Sequence, residues 1–164
     1  MHHLLNVCGI ATAAIALAAT APSAAAQGNT FTLACQSIGS GALEPLGDRE
    51  GHSLLVGEYS CRADSGPLSG GVWTATDIWE FNGTNAVLVT GYGVIRKPGA
   101  TAVYQDTEGR LALTMTDGKV TGLTISGRGH WPLATGGSAS LTGKSYTFAA
   151  KSAGPGRFAV EIKY

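Results

Sequence analysis

From Thr30 to Tyr164 polar and apolar residues alternate with a period of two, and helical periodicity is almost absent. A chain patterned this way buries an apolar face by forming strands, whose side chains point to opposite sides in turn. Turn-forming dipeptides punctuate the pattern. Asn82-Gly83 and Asp117-Gly118 combine residues that tolerate positive φ, the strongest short hairpin signal. Lys97-Pro98-Gly99 and Gly154-Pro155-Gly156 mark two further reversals. Strands are expected over 30–36, 52–62, 71–81, 84–95, 101–105, 111–116, 120–131, 141–150 and 157–164. Residues 37–51 show no alternation and read as a polar loop, and Gly91 and Gly93 read as a bend or bulge.

About eight strands on short turns suit a sandwich or a closed barrel. Phe158, Val160, Ile162 and Tyr164 alternate through the last segment, which would leave a bare edge unless it paired with an earlier strand. The expected fold class is therefore all-β, a single antiparallel closed barrel of about eight strands.

The N-terminus is read differently. Leu4 to Ala19 is almost wholly small or apolar, and Pro22-Ser23 and Ala24-Ala25-Ala26 follow before Gln27. An apolar run ahead of small residues reads as a secretory signal cleaved after Ala26, although Met1-His2-His3 brings no Lys or Arg. The run is short and Ala-rich, whereas a membrane span needs roughly 20 strongly apolar residues. Residues 1–26 are thus expected as signal peptide and 27–164 as one barrel domain, secreted or periplasmic, with no stable membrane anchor. Lys plus Arg and Asp plus Glu balance at 11 each, so no global field draws the chain to nucleic acid. Only 13% of residues are charged and 24 are glycine, a composition suited to compact β-structure with tight turns.

Beyond the signal stand two cysteines, Cys35 and Cys61. In an exported chain two cysteines most often pair, which predicts a Cys35–Cys61 disulfide. A metal site is the competing reading. No Cys-x-x-Cys spacing is present and the histidines lie far away in sequence, so no metal is expected.

Gly127-x-Gly129-x-Trp131-x-x-Ala134-x-Gly136 resembles the glycine-x-glycine-x-aromatic run of the allene oxide cyclase and dirigent group of barrels. The resemblance covers roughly Trp79 onward. It implies an allene oxide cyclase-like eight-stranded barrel with a small, largely apolar cavity, and assembly as a homo-oligomer. Such proteins bind oxylipins or phenolic radicals and steer a reactive intermediate by shape. The glutamate and water-holding groups of the plant cyclases do not align with residues of this chain and are not carried over.

An eight-stranded barrel has room inside for side chains or one small ligand. Asp77 alternates with Trp73, Ala75, Trp79 and Phe81. If that aromatic face looks inward, Asp77 is a carboxylate in an apolar wall, where desolvation raises its pKa. If the aromatics face a subunit interface, Asp77 pairs at the rim. Glu58 shares a face with Leu54 and Val56, pointing into the core or marking where the strand meets solvent. Arg128 and His130 lie on one face with Thr124 and Ser126. His130 could act as acid or base near neutral pH, or simply face solvent with those hydroxyls. His52 reads as surface, and Tyr59, Tyr92 and Tyr104 could each bring a hydroxyl to a cavity mouth.

The candidate catalytic residues are therefore Asp77, Glu58 and His130, and the candidate ligand-binding residues Trp73, Trp79, Tyr92 and Trp131. No phosphate-cradling loop, dinucleotide fingerprint or Gly-x-Ser-x-Gly stretch is present, so no cofactor is expected. Two function classes fit: a barrel that binds a small apolar or amphipathic molecule and guides its cyclisation or isomerisation, or a non-catalytic structural or interaction module of the cell envelope.

Overall fold

The turn residues do what their chemistry dictates, with one shift of frame. The computed structural model describes residues 29–39 and 41–164, so the expected signal segment lies outside the described residues. The strands are β1 (Thr30–Ile38), β2 (Leu43–Pro45), β3 (His52–Ala63), β4 (Val72–Asn82), β5 (Asn85–Lys97), β6 (Ala100–Thr116), β7 (Lys119–Gly136), β8 (Ser145–Gly154) and β9 (Arg157–Lys163). Asp117 and Gly118, both at positive φ, join β6 to β7 as a two-residue hairpin closed by Thr116 and Lys119. Between β4 and β5 the closing pair is Asn82 and Asn85. The turn is therefore Gly83-Thr84 with glycine alone at positive φ, not Asn82-Gly83 with both.

From β3 to β9 each strand pairs antiparallel with the next, and β9 pairs with β1, which returns to β3 and closes an eight-stranded antiparallel barrel. The last strand has the partner its exposed edge required. The ninth strand, β2, adds to β3 beyond the end of β1 and falls in the segment expected as loop. Two other expectations are corrected. Residues 101–105 and 111–116 belong to one 17-residue strand, β6, interrupted by bulges. Leu141 lies in a short 3-10 turn, Ala139–Leu141, so β8 starts at Ser145.

Cys35 and Cys61 face each other across the β1–β3 seam and form the expected disulfide, 26 residues apart in sequence. A crosslink closing a loop of this length contributes about 3.5 kcal/mol by restricting the unfolded chain. Its position matters more than its span, because β1–β3 joins the two ends of the meander.

Alternation puts two apolar clusters inside the barrel. The larger fills one end, where Trp131 packs against Phe31, Trp73 and Tyr146 with ring centroids 5.0–6.0 Å apart. The smaller, Trp79, Phe81, Ala86 and Leu111, lies toward the opposite end of β4, β5 and β6. Polar side chains occupy the layer between them.

Candidate active site

The polar layer follows from strand register. Reading across neighbouring strands from β3 to β8, the paired residues are Gly57, Asp77, Gly91, Asp106, Gly129 and Tyr146. Glycine alternates with a polar residue at every step. A second row one pleat away reads Tyr59, Ala75, Gly93 and Tyr104. At Gly91, Gly93 and Gly129 neighbouring side chains lie over the glycine. A Cβ on Gly129 would run into the Tyr146 ring and the Gln105 carbonyl, and one on Gly93 into the Tyr104 ring. The glycines here make room for side chains, and the bend or bulge expected near them is the register shift at Val89, two residues before Gly91.

Gly91 separates the two carboxylates. A Cβ built on it would sit 2.7 Å from Asp77 Oδ1 and 3.2 Å from Asp106 Oδ2, so both oxygens crowd over its bare backbone. Asp77 and Asp106 are only 6% and 7% exposed. The Tyr146 hydroxyl donates to Asp106 Oδ1 at 2.5 Å, and the Tyr59 and Tyr104 hydroxyls lie 3.1 Å apart. Asp77 Oδ1 is buried and has no hydrogen-bond partner among the described residues.

This environment sets the protonation of the pair. Burial pushes Asp106 up to about 7, against the pull of the Tyr146 hydroxyl, which favours its ionised form. Burial, reinforced by the charge on Asp106, pushes Asp77 up to about 8, against weaker pulls from Tyr59 and Trp79. Near neutral pH the pair therefore keeps at least one proton between its two carboxyl groups, and the Tyr146 donor favours Asp106 as the ionised member. Tyr59, Tyr104 and Tyr146 are pushed above the usual phenol range by burial first and by the nearby carboxylates second, so they stay hydroxyl donors. One acid facing one base is the arrangement that proton-transfer chemistry needs.

Asp77, Asp106 and Tyr146 line an apolar cavity of about 120 Å³ with Trp73, Trp79 and Phe148. That is the size class that accommodates one benzene-sized ring. No Lys, Arg or His lines it.

Of the expected site residues, the structure brings Asp77, Trp73 and Trp79 into this wall, on the inward reading of the β4 face. Trp131 is fully buried, but in the packed end of the barrel rather than on the cavity. Tyr92 points outward and is 49% exposed, because a register shift between β4 and β5 reverses the parity of β5. Glu58 borders the cavity but is exposed, on the outer face with Val56, since Leu55, Gly57 and Tyr59 take the inward positions of β3. His130 is on the outer face of β7, opposite Gln105 and Ser145, in a shallow groove with Arg128 and Glu108. His52 is buried rather than superficial: its two ring nitrogens meet Asp48 at 2.5 Å and Glu80 at 2.8 Å, and these contacts raise its pKa.

Asp106 and Tyr146 are the residues that sequence reasoning missed. The available signal was the alternation Ala102, Tyr104, Asp106, the same small–aromatic–acid spacing as Ala75, Asp77 and Trp79 on β4 in another order. No protein-family model, curated protein or solved structure matches the chain.

Proposed function

We propose that this barrel is an exported small-molecule-binding protein whose interior acid–base pair moves a proton on an apolar or amphipathic guest, guiding its isomerisation or cyclisation. The observation that carries this reading is the pairing of Asp77 and Asp106 across Gly91, in an aromatic-walled cavity, with Asp77 Oδ1 left unpartnered. Burying two carboxylates without a cation is costly. Retaining them where a packed core would be more stable is the mark of a site. Export agrees with the Cys35–Cys61 bridge, a bond that persists in oxidising compartments. The resemblance around Gly127–Gly136 supports the same class of barrel.

Phenol and benzoate test the binding reading, with quenching of the tryptophan fluorescence as the signal, since Trp73 and Trp79 line the cavity. Phenol should saturate the signal and benzoate, an anion facing an acidic wall, should not. Ala150 also lines the cavity, so Ala150→Leu should fill it and abolish the phenol signal without unfolding the barrel. If phenol fails to bind and Ala150→Leu only stabilises, the interior is a packed core, and the non-catalytic structural module is the better account.

A further inference from the structure

The guest's chemistry can be narrowed further, on the strength of the binding reading above. Asp77 and Asp106 both line the cavity; Asp77 Oδ1 has no hydrogen-bond partner among the described residues, and Asp106 is fixed by the Tyr146 hydroxyl. The two carboxyl groups close side by side over the bare backbone of Gly91 and both line the cavity, so a flat molecule against that wall meets both. No basic side chain lines the cavity, which leaves anionic guests such as carboxylates and phosphates without a counter-charge. Aromatic and aliphatic side chains line most of the remainder, so the guest is neutral, with one hydrogen-bond-accepting atom and a polarised C–H next to it. A volume of about 120 Å³ limits it to roughly one ring.

We propose that the guest is a small neutral β,γ-unsaturated ketone, held with its carbonyl oxygen at Asp77 and its α-hydrogen toward Asp106, and isomerised through its dienol. In the first step the Asp106 carboxylate takes the α-proton. The C–H electron pair becomes the new C=C bond, the carbonyl π pair moves to oxygen, and that oxygen takes the proton of Asp77. In the second step Asp106 returns its proton to the γ-carbon and Asp77 recovers its own from the enol hydroxyl. The double bond has moved, both carboxyl groups are restored, and no co-reactant is consumed. Tyr146 acts as a positioning residue that holds Asp106, and the Tyr59–Tyr104 hydroxyl pair sits one pleat away on the same wall.

The experiment uses 3-cyclohexen-1-one, a single-ring β,γ-enone, with the disulfide-intact protein. Conversion to the conjugated 2-enone is followed by ultraviolet absorbance, and deuterium uptake from D2O by mass spectrometry. The wild type should catalyse both, with a bell-shaped pH profile centred between about 7 and 8 set by the two carboxyl groups. Phenol, a flat mimic of the enol, should inhibit competitively. Asp106→Asn should keep phenol binding and lose roughly 100-fold or more in rate. Tyr146→Phe should instead move the acidic limb of the profile upward, because it removes the donor that favours ionised Asp106. Binding of phenol without isomerisation or deuterium uptake would overturn the carbonyl proposal and leave the binding reading intact. Turnover that phenol does not inhibit would place the chemistry elsewhere and overturn it too. These two wild-type measurements decide the matter even if the Asp106 variant fails to fold.

Discussion

The buried acid pair makes a prediction about stability that needs no ligand. Asp77 and Asp106 hold their protons to about pH 8 and 7 in the barrel, whereas an unfolded aspartate releases its proton near pH 4. Between these limits the folded state binds more protons than the unfolded state, so unfolding free energy falls as pH rises. Each carboxyl group that stays protonated contributes a slope of about 1.4 kcal/mol per pH unit. From pH 5 to pH 6.5 both stay mostly protonated, so the pair should lower stability by about 4 kcal/mol, a large share of the roughly 5–15 kcal/mol typical of a domain.

Urea unfolding at half-unit pH steps, read by tryptophan fluorescence with the disulfide intact, measures this slope directly. Asp77→Asn should remove about half of it, and the Asp77→Asn/Asp106→Asn double variant nearly all. His52 also has a raised pKa, through Asp48 and Glu80. Its stabilisation is present at low pH and fades as pH rises through its folded pKa, so it adds a slope of the same sign. The carboxylate contribution is therefore the difference between wild type and double variant, in which the His52 term cancels. If the two lost stability in parallel from pH 5 to pH 8, the acids would be solvated and the reasoning about the polar layer would be wrong.

Other substitutions probe the frame around the pair. Gly129→Ala puts a methyl group against the Tyr146 ring and the Gln105 carbonyl, and should cost about 1–3 kcal/mol in chemical denaturation. Trp131→Ala should cost about 3–5 kcal/mol yet leave phenol affinity nearly unchanged, since Trp131 packs in the end of the barrel and not on the cavity. Replacing both Cys35 and Cys61 by Ser should lower stability by about 3.5 kcal/mol, seen as a drop in thermal midpoint of roughly 10 °C. His130→Ala, on the outer face of β7, should change neither phenol binding nor the pH slope.

The architecture was legible because alternation and turn chemistry are local. Closure of the last strand onto an earlier one followed from the exposed edge alone, although not which strand, and the inward face of β4 was legible because five of its residues keep one phase, Trp73 through Phe81. What escaped was the phase of the strands that contain bulges. On β5 the inward residues change from Ala86 and Leu88 to Gly91, Gly93 and Ile95, so Tyr92 turns outward. On β6 they change from Ala102, Tyr104 and Asp106 to Leu111 on the odd phase. Two phases in one strand look like two strands, and ending the first at Gln105 left Asp106 in the gap. A bulge inserts one residue and exchanges the two faces. Gly91 and Gly93 pointed to the irregularity on β5 without giving its position, and nothing local marked those on β6, because the curvature is imposed by partners distant in sequence.

Those bulges and glycines belong to one solution. An eight-stranded barrel has an interior just wide enough for its own side chains to fill. A cavity exists only if some inward positions stay empty, and glycine empties them most completely. Glycine in strands costs conformational entropy and leaves no side chain to pack. Here that loss is offset because a neighbour lies over the gap: Tyr146 over Gly129, Tyr104 over Gly93, and Phe148 over Gly127. At Gly91 the covering groups are two carboxylates, which cannot supply that packing. The wall is thus least compensated at the point where the acid pair faces the cavity. An Ala at position 91 would push against both acids at once. Glycine at 91 is what lets two carboxyl groups sit side by side on the cavity wall, and a methyl group there forces at least one of them to move. Gly91→Ala should therefore weaken phenol binding with the fold retained, and a variant that binds phenol with unchanged affinity would place the guest away from the acid pair.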